Sequence, residues 1–159
     1  MGSGPARSIV ISLALLATGC GTAALPTRYP SRPPAGMIAA QAEQDERACL
    51  ATAARATRER AWAYIGCMVS KGHTVGVAFH VHAQPTYFEV TQTQPHDEPV
   101  VASELDDCRR SAYATGRSEG GSTREGIVVR METAFRTCLD PRGYVVQRQG
   151  APAPNSPRR

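Results

Sequence analysis

The chain has 159 residues with a formal net charge of +4, and 42% of its residues are apolar. That is enough for one domain and too little for several. All of the 18 basic residues except Lys71 are arginine. They alternate with acids along the chain and form no block of like charge, which is the pattern of a solvated helix surface. Nucleic acid is therefore not an expected partner.

In chain order, Arg7 precedes the apolar run Ile9 to Ala17, and Thr18-Gly19-Cys20 follows. A bilayer span needs about 20 apolar residues, and this run has roughly half of that before small residues end it. Residues 1–19 thus read as a signal peptide. The motif LLATGC resembles the lipobox of bacterial lipoprotein precursors, although Ala17 stands where that family prefers leucine. The resemblance implies a diacylglyceryl thioether and an acylated amine on Cys20, and several acyl chains hold a protein firmly to a membrane. Gly21, where aspartate would signal retention, implies the outer membrane, at its periplasmic face.

Residues 20–36 include GTAALPTRYPSRPPAG, whose four prolines make it an extended tether, and residues 149–159 contain three more and read as a disordered tail. Residues 37–148 remain as one domain. Its apolar content is rich in alanine, which buries little area, so the expected core is thin and in need of staples. After Cys20, four cysteines are left: Cys49, Cys67, Cys108 and Cys138. An even count in an exported domain points to two disulfides, each contributing roughly 2 to 4 kcal/mol. No CxxC or CxxCH occurs, which removes the signatures of thioredoxin-like, zinc-knuckle and covalent haem sites.

The stretch AYIGCMVSKGHTV at 63–75 nearly recurs as AFRTCLDPRGYVV at 134–146. In the second copy Ile127, Val128, Met131, Ala134, Phe135, Cys138 and Leu139 recur at steps of three and four, one apolar stripe on a helix. Ser122 and Glu125 are expected to cap its start, and Pro141 and Gly143 to end it. Gly72 ends the first copy alike. Ahead of each lies a helix with the other cysteine, Asp45 to Arg58 and Ser103 to Thr115, the latter with Ser103 and Asp106 as a cap. The two repeats run over about 44–82 and 103–148. From Met37 to Ile65 there is neither glycine nor proline. An unbroken helix would set Cys49 and Cys67 roughly 27 Å apart and force bridges between the copies. A bend near Thr57 and Arg58 would instead let them meet, within the roughly 7 Å that bridged Cα atoms need.

DDCRRSAYA with AFRTCLDPRGYVV resembles a unit of small proteobacterial envelope proteins: a cysteine in an alanine-rich helix, an insert, then aromatic-x-x-Cys-Leu/Met and Arg/Lys-Gly-aromatic. RACLATAARA with AYIGCMVSKGHTV matches it less closely, His73 replacing the aromatic. The resemblance implies no activity. Relatives with a single unit carry two cysteines, which implies pairing within each unit, Cys49 with Cys67 and Cys108 with Cys138.

Between the copies, Val75, Val77, Phe79 and Val81 alternate with His80 and His82, and Phe88 and Val90 alternate with Tyr87, Glu89 and Thr91. These are two strands joined at AQP, 83–85, and GYVVQ at 143–147 adds a third. The expected fold is α+β: two disulfide-stapled helical hairpins on a small antiparallel sheet of two to three strands.

His80 and His82 on one strand face would stand about 7 Å apart, a spacing that copper or zinc could use if His96, Glu89 or Asp97 supplied a third ligand. Two solvent-facing polar residues explain the pair as well. No GxSxG elbow, HExxH helix, glycine-rich phosphate loop or close carboxylate pair is present, so no catalytic residue and no cofactor is assigned. Trp62 and Tyr64 read as core. The expectation is a non-enzymatic envelope lipoprotein that touches the membrane through Cys20 and binds an envelope protein, with a periplasmic metal-binding lipoprotein using His80, His82 and His96 as the alternative.

Overall fold

A computed structural model describes residues 29–57, 59–118 and 123–149. The signal peptide, Cys20, Ser122 and the tail beyond Gln149 lie outside the described residues. Four helices, α1 (Ala39–Arg55), α2 (Arg60–Ser70), α3 (Glu98–Arg117) and α4 (Arg124–Leu139), accompany four strands, β1 (Ser31–Arg32), β2 (Thr74–Val81), β3 (Gln84–Gln92) and β4 (Tyr144–Arg148). The strands form one antiparallel sheet in the order β1-β2-β3-β4. The fold class is α+β, and β1 makes the sheet one strand wider than the sequence suggests.

The long helix of the first copy is broken. α1 ends at Arg55, and Glu59, in the left-handed conformation with φ 51°, turns the chain into α2. Nothing in the residue types marks that break, because Glu59 carries no glycine-like freedom. Packing supplies the reason. Cys49 and Ala53 on α1 and Tyr64, Ile65, Cys67 and Met68 on α2 are all buried, and only a hairpin lets both sets face one core. α2 ends in a Schellman motif: Gly72, φ 83°, donates to the carbonyl of Val69 and His73 to that of Met68. The second copy ends instead through a short 3-10 turn, Asp140–Arg142, closed by Gly143 at φ 80°.

Two caps differ from expectation. Thr123, not Ser122, caps α4, its hydroxyl accepting from the Gly126 amide, while Glu125 pairs with Arg148. α3 begins five residues before Ser103, at Glu98 with Pro99 in its first turn, so Ser103 and Asp106 lie inside the helix. Proline suits a first turn, where its missing N–H costs nothing.

β2 and β4, the strands that follow the two copies, flank β3 in matching register. Val75 pairs with Val90 on one side and Val146 pairs with it on the other. The inward residues Val75, Val77, Phe79, Val81, Phe88, Val90, Tyr144 and Val146 are buried beneath the helices, which pack in the order α1, α2, α3, α4. At the centre Phe79 meets Phe88 and Phe135 edge to face, at 4.8 Å and 5.0 Å.

The hairpin turn is His82-Ala83, both at positive φ (51° and 62°), rather than AQP. Two left-handed residues make the tight turn that suits strand twist. Pro85 belongs to β3, and its missing N–H points toward the β4 side, beyond the last β4 pairing. The domain also starts earlier than expected. The Gly76 amide donates to Pro30, Arg32 pairs with Glu89, and Tyr29 stacks on Tyr64, so residues 29–36 belong to the fold rather than to a tether.

Candidate functional site

The four cysteines are joined within the copies. Cys49 and Cys67 bridge with Cα atoms 5.4 Å apart, and Cys108 and Cys138 with Cα atoms 5.6 Å apart. Each bridge ties the first helix of a hairpin to the second, beside the fully buried Ala53 and Ala112, four residues after the first cysteine of each copy.

The histidines are not brought together. His80 is exposed near the end of β2, while His82 lies in the turn and leaves the strand alternation that would have aligned the two rings. His96 sits at the opposite end of the sheet, where its ring stacks on Tyr144 at 5.4 Å. Pro85, beside His80, and Gln92, beside Tyr144, are seven residues apart on β3, about 23 Å. Glu89 is engaged by Arg32. Among the described residues no group of three His, Cys, Asp or Glu is placed to hold a metal ion.

Two polar pairs, one buried and one partly buried, occupy one place in the repeat. Asp45 stands four residues before Cys49 and His73 six after Cys67, and the His73 Nε2 lies 3.2 Å from the Asp45 Oδ2. Glu104 and Tyr144 hold the same offsets from Cys108 and Cys138, and the Tyr144 hydroxyl donates to the Glu104 Oε2 at 2.6 Å. Asp45 also receives Gln41 and pairs with Lys71 at 3.2 Å. Burial works to raise the Asp45 carboxyl, but donors from His73, Lys71 and Gln41 outweigh it and hold the group below its ordinary value. Burial and then the Glu104 bond push the Tyr144 phenol far above its ordinary range. These pairs lock the start of β2 and β4 to the preceding hairpin.

The most chemically distinctive surface lies where α3 passes the β2 edge. Arg109, Tyr113 and Arg117 are spaced by four and form one stripe on α3. The Arg109 guanidinium lies 5.4 Å from the Trp62 ring and 5.1 Å from the Tyr113 ring, and Arg117 lies 5.5 Å from Tyr113 on the same ring system. The Tyr113 hydroxyl accepts the His80 backbone amide at 2.7 Å. A groove of about 500 Å³ runs over His80, Arg109, Tyr113 and Arg117, and it adjoins a smaller one bounded by Tyr29, Trp62 and Arg109. Neither Arg109 nor Arg117 has a carboxylate partner among the described residues, whereas Arg110 is taken by Asp106 and Asp107. On the far side of Trp62 the surface changes sign, with Glu59, Glu98 and the Asp106–Arg110 pair lining the groove between α2 and α3. Sequence reading passed over the Arg-Tyr-Arg stripe; its four-residue spacing was the available signal. Trp62 is half-buried, with its inner part on the core and one face under Arg109.

The chain matches no protein family model, no curated protein and no solved structure. Among the described residues no helix is long and apolar enough to cross a membrane.

Proposed function

We propose that this chain is a non-enzymatic module of the bacterial cell envelope, held by lipid on Cys20 at the periplasmic face of the outer membrane and presenting a stapled domain to an envelope protein. The observation that carries the reading is the pair of disulfides, which persist in an oxidising compartment outside the cytoplasm. The sequence ahead of the domain agrees with it: a leader-like run and LLATGC end nine residues before Tyr29. The duplicated hairpins favour rigidity, with disulfides, the Asp45–His73 and Glu104–Tyr144 pairs and paired strands all holding one shape.

The test is metabolic labelling of the full chain with palmitate, together with the intact mass of the mature protein. The expected result is label on wild type, none on Cys20→Ala, and a mass shift that maps to the first residue. An unmodified Cys20 thiol, or Cys20 in a disulfide, would overturn the anchor. Crosslinking in cells is expected to trap one envelope protein reproducibly, and the absence of any crosslinked protein would count against the interaction role.

A further inference from the structure

We propose that the groove over Arg109, Tyr113 and Arg117, with Trp62 and Tyr29 beside it, is the face by which the folded domain rests on an anionic phospholipid surface. The inference deepens the membrane-anchored reading and takes its setting from it. Its physical basis is independent of the lipid on Cys20.

Charge is the first argument. Arg109 and Arg117, both in the groove, have no carboxylate partner among the described residues. A guanidinium offers a planar fork of donors that fits a phosphate oxygen pair. The acids nearest on α3 reduce this field without cancelling it: Asp106 and Asp107 are both held by Arg110, which also lines the groove, so three guanidiniums stand against two carboxylates. Beyond Trp62, Glu59 and Glu98 stand beside the Asp106–Arg110 pair, and this net negative lining bounds the face on one side, since phosphates would be repelled there.

The second argument is the kind of aromatic residue present. Trp62, Tyr113 and Tyr29 are each half-buried, with an apolar ring body and a polar tip. That combination favours the boundary between headgroups and acyl chains. The arginines lie across the ring faces, so cation and ring are presented together.

The third argument is where the chain enters. Tyr29 lines the groove beside Arg109, and burial raises its phenol while the Arg109 charge opposes the rise. Nine residues separate Cys20 from Tyr29, and even a fully extended chain of that length reaches only about 32 Å. A lipid on Cys20 therefore holds the domain within that distance of the bilayer, and the groove beside Tyr29 lies where the chain enters the domain. A soluble protein ligand explains the charge but gives no reason for the groove to lie at the tether.

Trp62 is the only tryptophan in the chain, so it reports on its own face. The experiment takes residues 21–159, which hold both disulfides and every described core residue but not Cys20, and titrates them with vesicles of phosphatidylcholine alone or mixed with phosphatidylglycerol at low salt. Binding to the anionic vesicles only is expected, with Trp62 emission quenched by lipids brominated near the headgroup. Arg109→Ala with Arg117→Ala should weaken binding about 30-fold, about fivefold for each guanidinium. Arg109→Lys with Arg117→Lys should stay within about threefold, which separates charge from misfolding. Equal binding to neutral vesicles, no binding to anionic ones, an unchanged double alanine variant, or binding only to isolated peptidoglycan sacculi would each overturn the proposal. Because Cys20 is absent, these outcomes are distinct from failure of the palmitate experiment, which tests the anchor.

Discussion

The imidazole Nε2 of His73 lies 3.2 Å from the carboxylate Oδ2 of Asp45, and both groups are buried. The same slot in the second copy is filled by Tyr144 and Glu104, at 2.6 Å. A histidine has replaced an aromatic, and the acid that faces it is shorter by one methylene, so the bond survives a change of both partners. Asp45 is the more deeply buried acid and serves three donors. Asp45→Ala should therefore destabilise by about 1 to 3 kcal/mol, through the unpaired His73 ring, and lower the melting temperature by about 4 to 12 °C. Glu104→Ala should cost about half as much, because Glu104 is partly solvated. Thermal melts of the two variants check the order.

The pH dependence follows from the direction of the Asp45 shift. Its carboxyl is held below the ordinary 3.8 by hydrogen bonds from His73, Lys71 and Gln41. A depressed folded value means that the unfolded chain takes the proton first as pH falls. The stability contributed by Asp45 is thus complete well above pH 3.8 and is lost as pH drops through the folded value. Urea unfolding from pH 6 to pH 2.5 should show a steeper acid-side loss for wild type than for Asp45→Asn. Parallel curves would place the acid sensitivity elsewhere.

Much of the fold was legible because the repeated phrase encodes local physics twice. The four-residue steps gave α4, the alternation of Val75, Val77, Phe79 and Val81 gave β2, and Gly72 and Gly143 gave both helix ends. What was not legible depended on the tertiary context. The break between Arg55 and Arg60 falls where the bend near Thr57 and Arg58 was expected, but that expectation came from the need for the cysteines to meet, and the left-handed Glu59 that makes the turn has no local marker. The His82-Ala83 turn uses residues that rarely adopt positive φ, so it could not be told from strand. β1 is two residues long and exists only because β2 offers an edge. The Arg-Tyr-Arg stripe on α3 was readable by spacing, but its pairing with Trp62 on α2 was not.

The histidines should be inert toward metal. With His82 in the turn and His96 at the other end of the sheet, copper and zinc should bind wild type no more tightly than His80→Ala with His82→Ala, measured by calorimetry. A loss of affinity of tenfold or more in the variant would restore the metal reading.

The two disulfides should differ in strength through loop length. Cys49–Cys67 closes 18 residues and Cys108–Cys138 closes 30. In the chain-entropy account, removing the first bridge by a Cys→Ala pair costs about 3 kcal/mol, and removing the second costs about 0.5 kcal/mol more. Denaturant midpoints of the two double variants test this. A first-bridge variant that is the less stable of the two would mean that strain or residual structure outweighs loop closure.

Two helical glycines separate overpacking from propensity. A methyl on Gly66 would stand 2.7 Å from the Ala102 Cβ and 3.0 Å from both the Ala102 amide nitrogen and the Glu98 carbonyl oxygen. These atoms belong to the α3 backbone and its shortest side chain, and they cannot swing away. A methyl on Gly116 would meet the Met131 side chain at 2.6 Å, and that flexible thioether can move. Replacing a mid-helix glycine such as Gly66 by alanine gains about 1 kcal/mol in helix propensity, with a smaller gain at Gly116, one residue from the end of α3, while overpacking costs about 1 to 3 kcal/mol. Gly66→Ala should therefore be net destabilising by about 1 to 2 kcal/mol, and Gly116→Ala close to neutral. Since Gly66 sets how closely α2 approaches α3, Gly66→Ala should also shift Trp62 from beneath Arg109 and change its fluorescence, which Gly116→Ala should leave as in wild type.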